Sequence, residues 1–158
     1  MKRSLFITQS AVIAALYVAL TLVSNAFGLA NGAIQFRISE ALTVLPAFMP
    51  AAVPGLVIGC LISNLLTDGV LANILGGTFA TLIGAIGTRL LKKHTALVSL
   101  PPILANTLIV PFIIMYAYGV PGTYWYFALT VFIGEAVVAG VFGTAFAYTL
   151  KKRPELFD

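Results

Sequence analysis

Ile38-Ser39-Glu40-Ala41-Leu42-Thr43-Val44-Leu45-Pro46-Ala47-Phe48-Met49-Pro50-Ala51-Ala52-Val53-Pro54-Gly55 opens a mostly apolar run that continues to Thr67. Whether this run crosses a bilayer once or twice decides the architecture. Pro46, Pro50 and Pro54 recur at four-residue intervals. In a helix interior each proline removes a hydrogen bond and clashes with the preceding turn, so one straight helix is disfavoured. Two short spans, 38–50 and 54–67, turning near Pro50 to Gly55, fit better. About 13 helical residues rise only roughly 20 Å, less than the hydrocarbon thickness. Broken backbone at that depth survives only where protein or a cavity covers it, and such segments point to a transporter's binding site.

The flanking sequence supplies the other spans. Residues 5–27 are uncharged and long enough for a core of about 30 Å. Residues 28–35 form a Gly- and Asn-containing connection. Residues 72–91 are rich in Gly and Ala, and 96–118 carry Pro101-Pro102 near the start with a kink expected at Pro111. Residues 124–150 open on Tyr124-Trp125-Tyr126, which reads as an interfacial aromatic anchor.

Charge placement tests this count. Lys2-Arg3, Arg89 with Lys92-Lys93, and Lys151-Lys152-Arg153 contain eight of the nine basic residues. If 38–67 crosses twice, all three clusters fall on one side, which is then cytoplasmic. If it crosses once, the last two fall outside. Six spans with both termini cytoplasmic follow, as a single all-α membrane domain over residues 1–158. Arg37 is the exception, at the outer end of the second span.

Composition agrees. The chain is 60% hydrophobic and 9% charged, with a mean hydropathy of +1.04, against about 25% charged residues in soluble domains. The net charge of +4 lies in clusters at segment ends, as topology requires, so a nucleic-acid partner is not implied. Lone Cys60 in an apolar run excludes a disulfide framework and a metal site. The chain has a charged start, but its first apolar run exceeds a signal-peptide core and has no convincing cleavage site.

Arg37 and Glu40 stand three apart, on one helical face. Charges within a membrane are costly and face a cavity, a partner or a substrate; the alternative is an ion pair that pins two helices. Glu40, Asp68 and Glu135 are the acids away from the C-terminal end, accompanied by Asn64, Asn73 and Asn106. Asn64 and Asp68 are four apart on one face. Glu40, Glu135 and Arg37, if all ionised, leave one negative charge that a proton or a cationic ligand would balance. Ala11, Ala15 and Ala19 form a smooth stripe that lets helices approach closely; Gly76/Ala80/Gly84 and Ala136/Gly140/Thr144 have the same spacing. Catalytic constellations are absent. His94 has no buried nucleophile nearby, and there is no HExxH, CxxC, GxSxG or Walker A sequence. The chain therefore has no motif for spending ATP.

The sequence resembles the queuosine-precursor transporter (QueT) family, S-components of energy-coupling-factor (ECF) transporters. The resemblance rests on Ile34-Gln35-Phe36-Arg37-Ile38-Ser39-Glu40-Ala41-Leu42, Pro54-Gly55-Leu56 through Asn64-Leu65-Leu66, Thr81-Leu82-Ile83-Gly84, Pro101-Pro102 through Asn106, and Gly134-Glu135-Ala136-Val137-Val138. Where an acidic residue is expected near position 73, this chain has Asn73. The resemblance implies a six-helix, multi-pass protein of a prokaryotic-type plasma membrane that binds a micronutrient from outside. It implies partners as well: a transmembrane coupling subunit and two ATPases, which use the ATP. Ala11, Ala15 and Ala19 match the family's coupling pattern, and Gly28 to Gln35 would be the gate. The implied substrate is a 7-deazaguanine: queuine or its 7-cyano or 7-aminomethyl precursors.

The residue chemistry suits such a ring. One carboxylate, Glu40 or Glu135, can accept N1–H and the 2-amino group in parallel. Arginine grips guanine through O6 and N7, but position 7 is carbon here, so Arg37 is expected on O6 or orienting a glutamate. Phe36, Tyr116, Tyr118 or Trp125 would stack on the ring, contributing about 1–3 kcal/mol. The expected substrate contacts are Gln35, Phe36, Arg37, Glu40, Asn64, Asp68, Asn73, Asn106, Trp125 and Glu135. A stand-alone proton-coupled carrier, an S-component for another vitamin-like compound, and a structural subunit remain alternatives.

Overall fold

A computed structural model of the chain describes residues 3–30 and 35–156. These residues form helices joined by short turns, with no strand among them. The long helices are α1 (Arg3–Ala26), α2 (Ala52–Thr67), α3 (Leu71–Leu90), α4 (Leu100–Tyr116) and α5 (Tyr124–Lys151). Between α1 and α2 runs a 3₁₀ segment, Ile38–Ala47. Four helical stretches are long and apolar enough to cross a membrane: Arg3–Ala26, Leu71–Leu90, Thr95–Tyr116 and Tyr124–Lys151. Leu, Ile and Phe side chains cover much of the outer surface, as lipid-facing helices require.

The proline-rich stretch does divide in two, by a different local geometry from the one expected. Residues 38–47 take the tighter 3₁₀ form instead of an α-helix to position 50. At about 2.0 Å per residue, ten residues then span roughly the 20 Å that 13 α-helical residues would cover. Pro46 has no N–H for an α-helical bond, and the Thr43 hydroxyl donates to the Glu40 carbonyl at 2.6 Å, which favours the i, i+3 spacing. The turn lies at Phe48–Ala51. Pro54 and Gly55 fall within the first turn of α2, where a proline's missing donor costs nothing.

The 3₁₀ segment is the axis of the bundle. Every residue from Leu42 to Ala47 is buried, as are Ser39 and Glu40, and the segment packs against α1, α3 and the second half of α5. Polar residues on α1 hold its outer half: Thr21 donates to the Ser39 hydroxyl at 2.7 Å and the Ser24 hydroxyl accepts from the Ile38 amide at 2.9 Å. At its other end, Arg89 of α3 donates to the Pro46 carbonyl at 3.1 Å, satisfying an orphan acceptor. A cation there also complements the segment's dipole.

Neighbouring elements alternate in direction. Ser10 on α1 donates to the Ala51 carbonyl just before α2, while Tyr17 packs on Gly59 about two turns further along both helices. These two therefore run parallel, with the 3₁₀ segment antiparallel between them in sequence. A Cβ at Gly59 would lie 2.8 Å from that of Tyr17, so only glycine allows this approach. The middle of α5, Ala136–Gly143, is π-helical and begins immediately after Glu135. Such widened turns are rare within α-helices and are frequently found at functional sites.

Candidate functional site

Four elements meet at one level and bring the scattered polar residues together. Glu40 comes from the 3₁₀ segment, Asn73, Gly77 and Thr81 from α3, Asn106 and Val110 from α4, and Glu135 from α5. With Gln35 and Arg37 they line a largely enclosed cavity of about 10 Å³, room for a single water. Six of the residues expected at the site are therefore in its wall: Gln35, Arg37, Glu40, Asn73, Asn106 and Glu135.

Each carboxylate has one oxygen committed and one without a partner. Tyr17 donates to Glu40 Oε1 at 2.5 Å, and Asn106 Nδ2 donates to Glu135 Oε1 at 2.8 Å. Asn106 is also within electrostatic reach of Glu40, so its amide stands between the two acids. The second oxygens, Glu40 Oε2 and Glu135 Oε2, are buried without a hydrogen-bond partner, and so is Gln35 Nε2. Each such group costs about 1–3 kcal/mol until something pairs with it. Each carboxylate thus presents one uncommitted oxygen in the cavity wall.

Arg37 is held by a chain of amides. Its Nε donates to the Ala30 carbonyl at 3.0 Å and Nη1 to Asn64 Oδ1 at 3.1 Å. Asn64 Nδ2 reaches the Asn73 carbonyl at 3.4 Å, and Asn73 Nδ2 donates to Asp68 Oδ2 at 2.6 Å. Asp68 also accepts from the Tyr118 hydroxyl. Asn73 faces the cavity where an acid was expected, with Asp68 behind it as its acceptor. Tyr118, past the end of α4, is a phenol held well above its ordinary pKa by burial first, then by the bond to Asp68 and its charge.

Other expected contacts lie elsewhere. Asn64 and Asp68 are outside the cavity lining and act on it through Arg37 and Asn73. Trp125 is 79% exposed, edge-on to Tyr124, and Tyr116 is similarly exposed; both belong to the outer surface. Phe36 lines a separate apolar groove with Ile38, Ala41, Val138 and Phe142. No aromatic ring lines the cavity among the described residues. The gate expected at Gly28 to Gln35 lies partly outside the described residues. At its described end, the Gln35 carbonyl presses so closely on α5 that a Cβ at Gly134 would sit 2.4 Å from it.

Tyr17 was missed by sequence reasoning, as was Thr81, which donates to the Gly77 carbonyl and to Cys60 Sγ at 3.0 and 3.2 Å. Cys60 Sγ also accepts from Asn64 Nδ2 at 3.4 Å. A signal existed for Tyr17: Ser10, Tyr17, Thr21 and Ser24, all buried, form a polar stripe at helical spacing. Ala11, Ala15 and Ala19 are on the opposite, exposed face of α1. They line an apolar groove of about 530 Å³ with Leu22, Ile58 and Ile62.

A family model described as QueT transporter matches residues 7–152, nearly the whole chain. The chain belongs to the QueT transporter family. A search of curated proteins and one of solved structures returned no match. The same membership makes this a transporter chain, and with its apolar helices it is a multi-pass membrane protein.

Proposed function

We propose that this chain is the substrate-binding membrane subunit of an ATP-driven ECF importer, and that it takes up a 7-deazaguanine: queuine or its 7-cyano or 7-aminomethyl precursor. One observation carries the reading. Gln35, Arg37, Glu40, Asn73, Asn106 and Glu135 converge on one cavity inside an apolar bundle, where charge is retained for function. In this conformation the cavity is too small for any ring. Binding therefore requires the wall to open, and the strand of chain at Gln35, seated on Gly134, is the contact that would part.

The rest of the proposal follows from the fold. The alternating direction of the 3₁₀ segment and the helices supports six crossings of the plasma membrane, with Lys92 and Lys151 on the cytoplasmic side. The exposed Ala11, Ala15 and Ala19 face supports docking of the coupling subunit, whose two ATPases would supply the energy. Cysteines placed at Lys92 and Lys151 should resist an impermeant label in intact cells. The function is tested by titrating the purified chain with the three deazaguanines, then measuring uptake with and without the partner subunits. Submicromolar binding and uptake that depends on the ATPases are expected. Uptake by the chain alone that follows a proton gradient would instead identify a proton-coupled carrier with Glu40 or Glu135 as its proton site. Absence of binding to all three would reject the substrate class.

A further inference from the structure

The three unpartnered atoms in the cavity wall have a definite pattern: two carboxylate oxygens, which accept, and one amide nitrogen, which donates. A cavity of this size holds one water, and a water that donates twice and accepts once matches all three. A ligand that displaces it keeps those bonds only if it presents two donors and one acceptor; otherwise affinity is lost. The amino–oxo edge of a guanine-type ring presents this set, with N1–H and the 2-amino group as donors and O6 as acceptor. An adenine-type edge offers one donor and one acceptor on the corresponding atoms, reversed in order. A hypoxanthine-type edge lacks one donor. An alkylammonium satisfies both carboxylates and leaves the amide unpaired.

We infer that Glu40 and Glu135 divide the reading of the substrate's base edge, each accepting one of its two donors through Oε2, while Gln35 Nε2 donates to O6. Tyr17 and Asn106 hold the other oxygen of each carboxylate and so fix which oxygen is presented. Arg37 lines the same wall, its Nε and Nη1 held by Ala30 and Asn64. This deepens the transport reading above and rests on it. It replaces a grip by one carboxylate with a three-residue set drawn from the chain before the 3₁₀ segment, the segment itself and α5. Selectivity for the base is then built across the very contact, Gln35 against Gly134, that must part for entry.

The test uses the purified full chain and three unsubstituted rings: 7-deazaguanine, 7-deazahypoxanthine and 7-deazaadenine. Removal of the 2-amino group should weaken binding at least tenfold, and 7-deazaadenine should bind weaker still. Glu40→Gln and Glu135→Gln should each weaken 7-deazaguanine at least tenfold, and one of them should abolish the preference for the 2-amino group. Gln35→Glu is the decisive variant. It replaces the one donor by an acceptor, so it should weaken 7-deazaguanine while leaving 7-deazaadenine, whose 6-amino group donates, unchanged or tighter. Thermal unfolding in detergent confirms that each variant is folded, and Gln35→Ala serves if the charge at that position prevents folding: it should weaken 7-deazaguanine more than 7-deazaadenine. Equal affinity of the parent chain for 7-deazaguanine and 7-deazahypoxanthine, or an equal loss for both rings in the Gln35 variants, overturns the edge assignment and leaves the transport reading intact. Failure of the parent chain to bind these rings and every 7-substituted deazaguanine overturns both.

Discussion

Tyr17 and Glu40 are joined by a 2.5 Å hydrogen bond that ties the middle of α1 to the first turn of the 3₁₀ segment. Both side chains are buried, Tyr17 completely and Glu40 to within 4%. The Tyr17 hydroxyl is also within hydrogen-bond reach of the Cys60 thiol on α2, so it stands where three elements meet. Tyr17→Phe should therefore remove the hydrogen bond that holds Glu40 Oε1. The expected cost is about 1–3 kcal/mol of stability, read as a lower unfolding temperature in detergent. Substrate affinity should fall several-fold, because the freed carboxylate can rotate. Unchanged affinity would mean that Tyr17 serves packing alone.

Gly134→Ala tests the closing contact. A methyl group there would stand 2.4 Å from the Gln35 carbonyl, well inside contact distance, and backbone has no rotamer with which to yield. The chain at Gln35 should be held off α5, so bound substrate should dissociate at least tenfold faster while the bundle stays folded. Stopped-flow displacement measures this directly; an unchanged rate would move the closing contact elsewhere.

Ala15→Phe tests the exposed stripe. Ala15 is on the surface of α1, beside Ala11 and Ala19 and away from the cavity. Substrate binding by the purified chain should be unchanged, and uptake by the assembled transporter should fall, since close helix approach is blocked. Loss of binding in the isolated chain would instead assign the stripe to internal packing.

Tyr118 gives a pH prediction. Its phenol is raised above the ordinary value by burial and by Asp68. The stabilisation is thus fully present below the ordinary tyrosine range, about pH 10, and is lost only as pH rises through the raised value. Between pH 6 and 9 stability should show no dependence traceable to this group. Above pH 10, Tyr118→Phe should remove part of the alkaline destabilisation seen in the parent chain; identical alkaline profiles would show that the Asp68 contact carries no such linkage.

The division of the proline-rich run was legible because proline's missing donor acts locally, whatever surrounds it. The 3₁₀ path was not, since it depends on neighbours: Thr21 and Ser24 on α1 and Arg89 on α3 satisfy polar groups that the segment presents. Glu40 and Glu135 could be picked out as sparse charges in an apolar chain, and their cavity confirms that they converge. Their partners were harder. Tyr17 reads as one more amphipathic aromatic until its helix is seen with Ser10, Thr21 and Ser24 turned inward. The rings of Trp125 and Tyr116 lie on the outer surface for a related reason: they serve lipid headgroups equally well, and only packing reveals which way a ring is turned.

Cys60 is the chain's sole cysteine, 1% exposed and sealed behind Thr81 and Asn64. A thiol in that position is a built-in clock. An alkylating reagent can reach it only while the packing between α2 and α3 is momentarily undone, so the rate of modification counts those moments. The native sequence thus carries its own reporter of breathing, with no engineered label to perturb it. Saturating substrate should slow that clock, and the factor by which it slows measures how far occupancy suppresses the motion.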